Sequence, residues 1–152
     1  MYQYFHGFII REGTDGVPAE HVHDLFKNAG WTGEIPEWQK EKYTLMFQHS
    51  TWAFTVWKEE QMIGMVRVIS DRVMAATIMD LIVHSDFRGK GIGQKLIALC
   101  VQKLPHGDWF ANTAADRFSF YEQCGFEVND LTDNGTCVYH GYIQAGKEGH
   151  RP

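Results

Sequence analysis

The chain has 152 residues, 44% of them hydrophobic and 22% charged: enough to close a single core without disulfides or a structural metal, and too apolar for an intrinsically disordered chain. Lys and Arg number 14 against 19 Asp and Glu, a formal charge of −5, and no basic block is present to follow a phosphate backbone, so no nucleic-acid partner is expected. No apolar run approaches the ~18 residues of a membrane span, Met1-Tyr2-Gln3-Tyr4 lacks the cationic start of a signal peptide, and Cys100, Cys124 and Cys137 lack CxxC spacing; the expectation is a cytoplasmic protein with reduced thiols and no membrane partner.

Phe5 to Arg11 reads as a first strand, and the turn cluster Glu12-Gly13-Thr14-Asp15-Gly16 leads into a helix that starts near Pro18. Val22, Leu25, Phe26 and Ala29 recur at three and four in that helix, and Gly30 stops it. Trp31 to Pro36 reads as a loop, and Glu37 to Gln48 as a second helix with Trp38, Leu45 and Met46 on one side. Trp52 to Trp57 and Met62 to Ser70 read as a hairpin across Lys58-Glu59-Glu60-Gln61. Ala75 to Val83 is apolar enough to be covered on both faces. The helix from Gly91 to Leu104 has an apolar set too wide for a surface helix and must pack on the sheet. Trp109 to Thr113 is a short strand, Asp116 to Cys124 a short helix stopped by Gly125, and Phe126 to Val128 pairs with Thr136 to Ile143 around Asn134-Gly135. The fold class is α+β (α/β layered), a mixed, mostly antiparallel sheet flanked by helices, with one domain over residues 1–145 and a disordered tail at 146–152.

The most informative segment runs from Asp80 to Gly93, where a buried strand passes through a short polar loop into a glycine-rich helix start. Free N–H groups at a helix N-terminus carry partial positive charge, and glycines let the main chain approach an anion closely. Arg88 and Lys90 add full positive charge at the same place. Neither the P-loop spacing nor the dinucleotide GxGxxG fingerprint with its downstream acid is present.

Arg88-Gly89-Lys90-Gly91-Ile92-Gly93 resembles the pyrophosphate-binding signature of the GNAT superfamily of N-acetyltransferases, Gln/Arg-x-x-Gly-x-Gly/Ala. Phe118 to Phe126, with Tyr121-Glu122-Gln123-Cys124-Gly125-Phe126 at its end, looks like the family's short helix ending in Gly-Phe, at the expected distance. The resemblance covers roughly residues 50 to 143, and it implies a GNAT-like acyl-CoA N-acyltransferase fold and acetyl-CoA as cosubstrate, with no metal. It further implies that the main chain of Leu81, Ile82 and Val83 pairs with the pantetheine arm. The amides from Gly89 through Lys90, Gly91 and Ile92 to Gly93 would hold the pyrophosphate, assisted by the charges of Arg88 and Lys90. Tyr121 aligns with the family's proton donor, and the Val83 N–H, near a bulge, with the group that polarises the thioester.

Members using a side-chain base often carry Glu or His where this chain has Thr77 and Met79, neither of which accepts a proton usefully. Asp80 should alternate to the opposite sheet face from Thr77 and Met79, and reads as an orienting carboxylate. Glu34 and His49 are further candidates, and a water chain is the preferred base. Asn112 and His84 stay open between a cofactor contact and a turn or surface role; His21 and His23 do not share a helix face, and no metal is expected. The reaction implied is direct acetyl transfer to a primary amine of a small molecule through a ternary complex. A non-catalytic acyl-CoA sensor and a protein or peptide N-acetyltransferase stay open beside it. The apolar last strand, Thr136 to Ile143, favours a homodimer.

Overall fold

The computed structural model describes residues 1–31, 37–129, 137 and 139. Its first element departs from expectation. The run around Phe5 is a hairpin of two strands, β1 (Tyr2–Phe5) and β2 (Phe8–Glu12), in register Phe5 to Phe8. His6 and Gly7 form the two-residue turn with φ of 50° and 86°, a conformation that follows the right-handed twist of the strands. Because His6 is neither Gly, Asn nor Asp, the turn carries no obvious signal in the sequence.

Helix α1 (Ala19–Ala29) follows Pro18 and ends on Gly30 in the left-handed conformation, whose N–H bonds back to Lys27 and Phe26 carbonyls. Helix α2 spans Glu37–Gln48 and buries Tyr43 and Phe47, one turn apart, whereas Leu45 is 48% exposed; the buried stripe is therefore not the one expected from Leu45. The meander β3 (Trp52–Lys58), β4 (Gln61–Ser70) and β5 (Ala75–Val83) follows. Asp71 secures the β4–β5 turn: its Oδ1 accepts from the amides of Val73, Met74 and Ala75 at 2.8, 2.8 and 3.1 Å, and these bonds lower its pKa, Val73's most. Helix α3 (Ile92–Val101) stops short of Leu104, because the chain tightens there into i to i+3 bonds, Lys103 N to Cys100 O and Leu104 N to Val101 O. Strand β6 (Asp108–Ala111) and the short helix α4 (Phe118–Gln123) complete the described elements. Phe126 to Val128 is not in a strand, and of the partner expected for it, Thr136 to Ile143, only Cys137 and Tyr139 are described; the Asn134-Gly135 turn and the tail, and with them the surface on which a homodimer is expected, lie outside the described residues.

The six strands lie in sequence order, every neighbouring pair antiparallel except β5 and β6, which are parallel as the α3 crossover requires. The sheet separates two cores. On one face, Val22, Leu25, Tyr43 and Phe47 of α1 and α2 pack on Ala53, Trp57, Met62, Met65 and Ile82. On the other, Leu96, Ile97, Cys100 and Tyr121 of α3 and α4 pack on Ile10, Phe54, Val56, Val66, Val68, Ala76 and Ile78. No helix of the described residues is long and apolar enough to cross a membrane.

One irregularity positions the site. Val68 faces Ile78 but Arg67 faces Asp80, so Met79 is an extra residue, a β-bulge in β5. The bulge resets the alternation of side chains. Thr77, opposite Ile69, and Asp80, opposite Arg67, consequently share the α1/α2 face, which corrects the expectation that they would point to opposite faces. Leu81 and Val83 now face α3 and α4.

Candidate active site

Strand β5 continues to Val83, but its pairing with β6 ends at Ile78 and Ala111, so the two strands part from Met79 onward. What the strand offers to that fork follows from the ladder on its other edge. His84 N donates to Ile63 O at 2.8 Å across the facing pair Val83 and Gly64, which makes that pair the non-hydrogen-bonded kind and commits the N–H and C=O of Ile82 to Met65. The main-chain groups of Leu81 and Val83 therefore point away from β4 and into the fork. The Val83 carbonyl accepts from Arg88 Nε at 3.1 Å.

A cleft of about 470 Å³ starts in this fork and runs along the start of α3, lined by Met79, Leu81, Val83, Arg88, Gly89, Gly91, Ile92, Gly93 and Tyr121 among others. Of the residues expected at the site, two fall outside this lining. Ile82 is 2% exposed, with its side chain in the α1/α2 core and its main chain bonded to β4. Lys90 is exposed on the loop. Trp31, Ile78, Phe87, Gln94, Thr113, Asp116, Arg117 and Phe120 also belong to the lining. Trp31 follows the C-cap of α1 and packs edge-on against Phe26, and Arg117 ends a single 3-10 turn, Ala115–Arg117. Neither carries a local motif; tertiary packing alone brings them to the cleft.

The floor of the cleft at α3 suits an anion. Gly89 and Gly91 have φ of 77° and 80°, a left-handed conformation that costs other L-residues about 1–2 kcal/mol. Gly91 is the N-cap of α3 and supplies no side-chain cap, so the amides of Ile92, Gly93 and Gln94 have no intrahelical partner. A Cβ at Gly93 would lie 3.0 Å from Phe120 Cε1, so the glycine also allows α3 and α4 to approach. Arg88 and Arg117 add cationic charge to the walls. The preceding loop is braced: Asn28 of α1 accepts from Ser85 N at 2.9 Å and donates to Ser85 Oγ at 3.0 Å. His84 does not line the cleft; its Nδ1 accepts from Asp86 N at 3.1 Å and its ring packs against Phe87.

Tyr121 sits in the wall, 8% exposed, with its ring edge-on to Phe120 and Phe126 at 5.1 and 5.5 Å. Among the described residues no group hydrogen-bonds its hydroxyl. Burial foremost, with the neighbouring Cys124, raises its pKa to about 12, against a smaller lowering by Arg117. The phenol stays protonated at neutral pH. Cys100 is buried and pushed to about 12 for the same leading reason, and burial also raises Cys124, which keeps both as thiols rather than nucleophilic thiolates.

Of the candidates for a base, neither Asp80 nor His49 lines the cleft. Asp80 is paired with Arg67 at 2.8 Å on the α1/α2 side of the sheet, His49 is exposed beyond the end of α2, and Glu34 lies outside the described residues. Met79 holds the cleft position beside the bulge, 47% exposed. Asn112, Thr113 and Asp116 add polar groups to the lining. Glu20, His23 and Asp24 of α1 lie close together, but Glu20 is ion-paired to Lys40 at 3.1 Å.

Residues 49–128, more than half of the chain, match the acetyltransferase (GNAT) domain family. An uncharacterized N-acetyltransferase, ycf52, of Gracilaria tenuistipitata var. liui is 30% identical over 114 residues, covering 70% of this chain and 62% of that protein. The chloroplastic GCN5-related N-acetyltransferase 2 of Arabidopsis thaliana is 34% identical over 77 residues, 47% of this chain and 29% of its own. The chain thus spans less than two thirds of these relatives. Among solved structures, a putative acetyltransferase from Deinococcus radiodurans R1 superposes with a TM-score of 0.76 at 21% identity, covering 100% of this chain and 99% of that one. An aminoglycoside acetyltransferase, meta-AAC0020, from an uncultured soil metagenomic sample superposes with a TM-score of 0.67 at 18% identity, covering 88% and 97%. The chain belongs to the GNAT acetyltransferase family.

Proposed function

We propose that the protein transfers an acetyl group from acetyl-CoA to the primary amine of a small molecule, by direct attack within a ternary complex. The observation that carries this reading is one continuous cleft joining the open main-chain edge of Leu81 and Val83, the glycine turn at the start of α3, and the protonated hydroxyl of Tyr121. An extended arm with amide groups pairs with the strand edge, and a pyrophosphate fits the unpartnered amides from Ile92 to Gln94, the helix dipole and Arg88. Arg88 must then yield the Val83 carbonyl, which it holds through Nε.

With the thioester in the fork, the Val83 N–H is the available donor for the carbonyl oxygen as it gains negative charge. The amine attacks in its neutral form. The carbon–nitrogen bond forms, the carbon–sulfur bond breaks, and the departing thiolate takes the Tyr121 proton; the Tyr121 oxygen is re-protonated through solvent. The raised pKa keeps the phenol protonated and available at neutral pH, and its proton passes in concert with carbon–sulfur cleavage. With Asp80 and His49 outside the lining and Asp116 the carboxylate among the lining residues, the amine's proton leaves through water. Trp31 and Met79 give the acceptor side an apolar character that favours an amine on a hydrophobic or aromatic body.

The test is a panel of arylalkylamines, polyamines, amino sugars and lysine peptides, each incubated with acetyl-CoA and followed by thiol release and mass of the product. Acetylation of a small amine is expected. Acetylation of peptides alone would replace the acceptor class, and acetyl-CoA binding with no transfer to any amine would make the protein a sensor.

A further inference from the structure

A largely buried ion pair sits where β5 breaks its alternation. Arg67 Nε donates to Asp80 Oδ2 at 2.8 Å, with side chains only 13% and 15% exposed, and the two residues face each other directly beside the bulge at Met79. Arg67 Nη1 also reaches Ser50 Oγ at 3.4 Å, and Ser50 Oγ donates to Met46 O at 2.6 Å in the last turn of α2.

Without the bulge, the register of β5 beyond Ile78 shifts by one residue. Ile78 would still face Val68, but Met79 would then oppose Arg67, Asp80 would oppose Val66, and every later side chain would change faces. Asp80 would enter the apolar α3 core beside Val66 and Val68, which are fully buried, and Arg67 would be left buried without its partner. Leu81 and Val83 would leave the cleft. Apolar residues at 67 and 80 would permit both registers; the charges permit one.

We infer that the Arg67–Asp80 ion pair is a register lock that holds the bulge at Met79 and so keeps Leu81 and Val83 turned toward the acetyl-CoA cleft. Both are positioning residues, acting on the cofactor through the strand, and the functional half of the inference rests on the acetyl-CoA reading above.

Three variants test it: the apolar pair Arg67→Met with Asp80→Leu, the reversed pair Arg67→Asp with Asp80→Arg, and Asp80→Asn alone. Register is read by the Hα–Hα nuclear Overhauser effect between Leu81 and Val66, a close pair only in the bulged register. The apolar pair is expected to fold but to weaken or double that signal, and to lose at least about tenfold in kcat/KM for acetyl-CoA, since a misplacement of about 1 Å costs up to about a hundredfold in rate. The reversed pair should recover both. Asp80→Asn should raise KM for acetyl-CoA while leaving the midpoint of the pH profile in place; a fall in kcat at unchanged KM, with loss of the profile's rising limb, would instead make Asp80 the base and overturn the lock. Retention of the signal and of kcat/KM to within about twofold in the apolar pair would overturn it too, being far below the penalty expected of a displaced strand. If the native protein itself fails to bind acetyl-CoA, the functional reading fails, while the Leu81–Val66 signal still decides the lock.

Discussion

Tyr121→Phe removes a single oxygen and leaves the ring's edge-on contacts with Phe120 and Phe126 in place. Because no described residue hydrogen-bonds the hydroxyl, the substitution breaks no bond among the described residues, and the change in stability should stay under about 1 kcal/mol, a shift in Tm of no more than about 4 °C for a chain of this size. Acetyl-CoA affinity should also hold, since the strand edge and the glycine turn are untouched. The chemical step should not hold. Loss of a positioned acid costs about 10²–10⁴ in rate, or about 3–5 kcal/mol of barrier. The assay is initial-rate release of CoA with whichever amine the panel selects, alongside thermal melts with and without acetyl-CoA. A kcat reduced at least about a hundredfold with the melts unchanged is the expected result. A kcat within about threefold of the parent would refute the reasoning, because an acid's contribution is far larger.

Gly91→Ala should destabilise the fold by about 1–2 kcal/mol, since φ is 80° there, and should weaken acetyl-CoA binding through the displaced helix start; urea unfolding and ligand titration measure the two effects separately. Tyr121 also makes stability fall at alkaline pH. Its pKa is raised from 10.0 to about 12 in the fold, so its contribution is complete below pH 10.0 and is lost as pH climbs toward about 12; unfolding midpoints of the parent should fall relative to Tyr121→Phe over that window. Under native conditions a thiol reagent should modify the exposed Cys137 quickly and leave Cys100 unmodified until unfolding, because Cys100 is buried and its pKa is pushed to about 12.

Particular residues explain how far the fold could be read from the sequence. Helix α1 and strands β3 to β5 declare themselves through period, breakers and length, α2 shows its extent but not its buried stripe, and the glycine turn with the Tyr121 helix identifies the family because main-chain binding leaves a spacing behind. The first hairpin escaped because His6 adopts a positive φ without the usual turn chemistry, so Phe5 to Arg11 reads as one strand. The bulge at Met79 escaped for a deeper reason: an extra residue is defined only against the partner strand, and one-strand alternation put Asp80 on the wrong face. The same limit applies to the cleft. Leu81, Val83, Arg88, Gly91 and Tyr121 lie in or beside legible motifs, while Trp31 and Arg117 reach it only through packing of α1 and of the turn before α4.

The central claim is that this cleft holds acetyl-CoA, and thermal melting of the purified protein with and without acetyl-CoA tests it most directly. A ligand bound only by the native state stabilises by RT ln(1 + [L]/Kd), about 2.7 kcal/mol at a hundredfold excess over Kd, or roughly 5–11 °C at about 2–4 °C per kcal/mol. The account predicts a shift of that size that is diminished in Gly91→Ala. No shift at millimolar acetyl-CoA would contradict it.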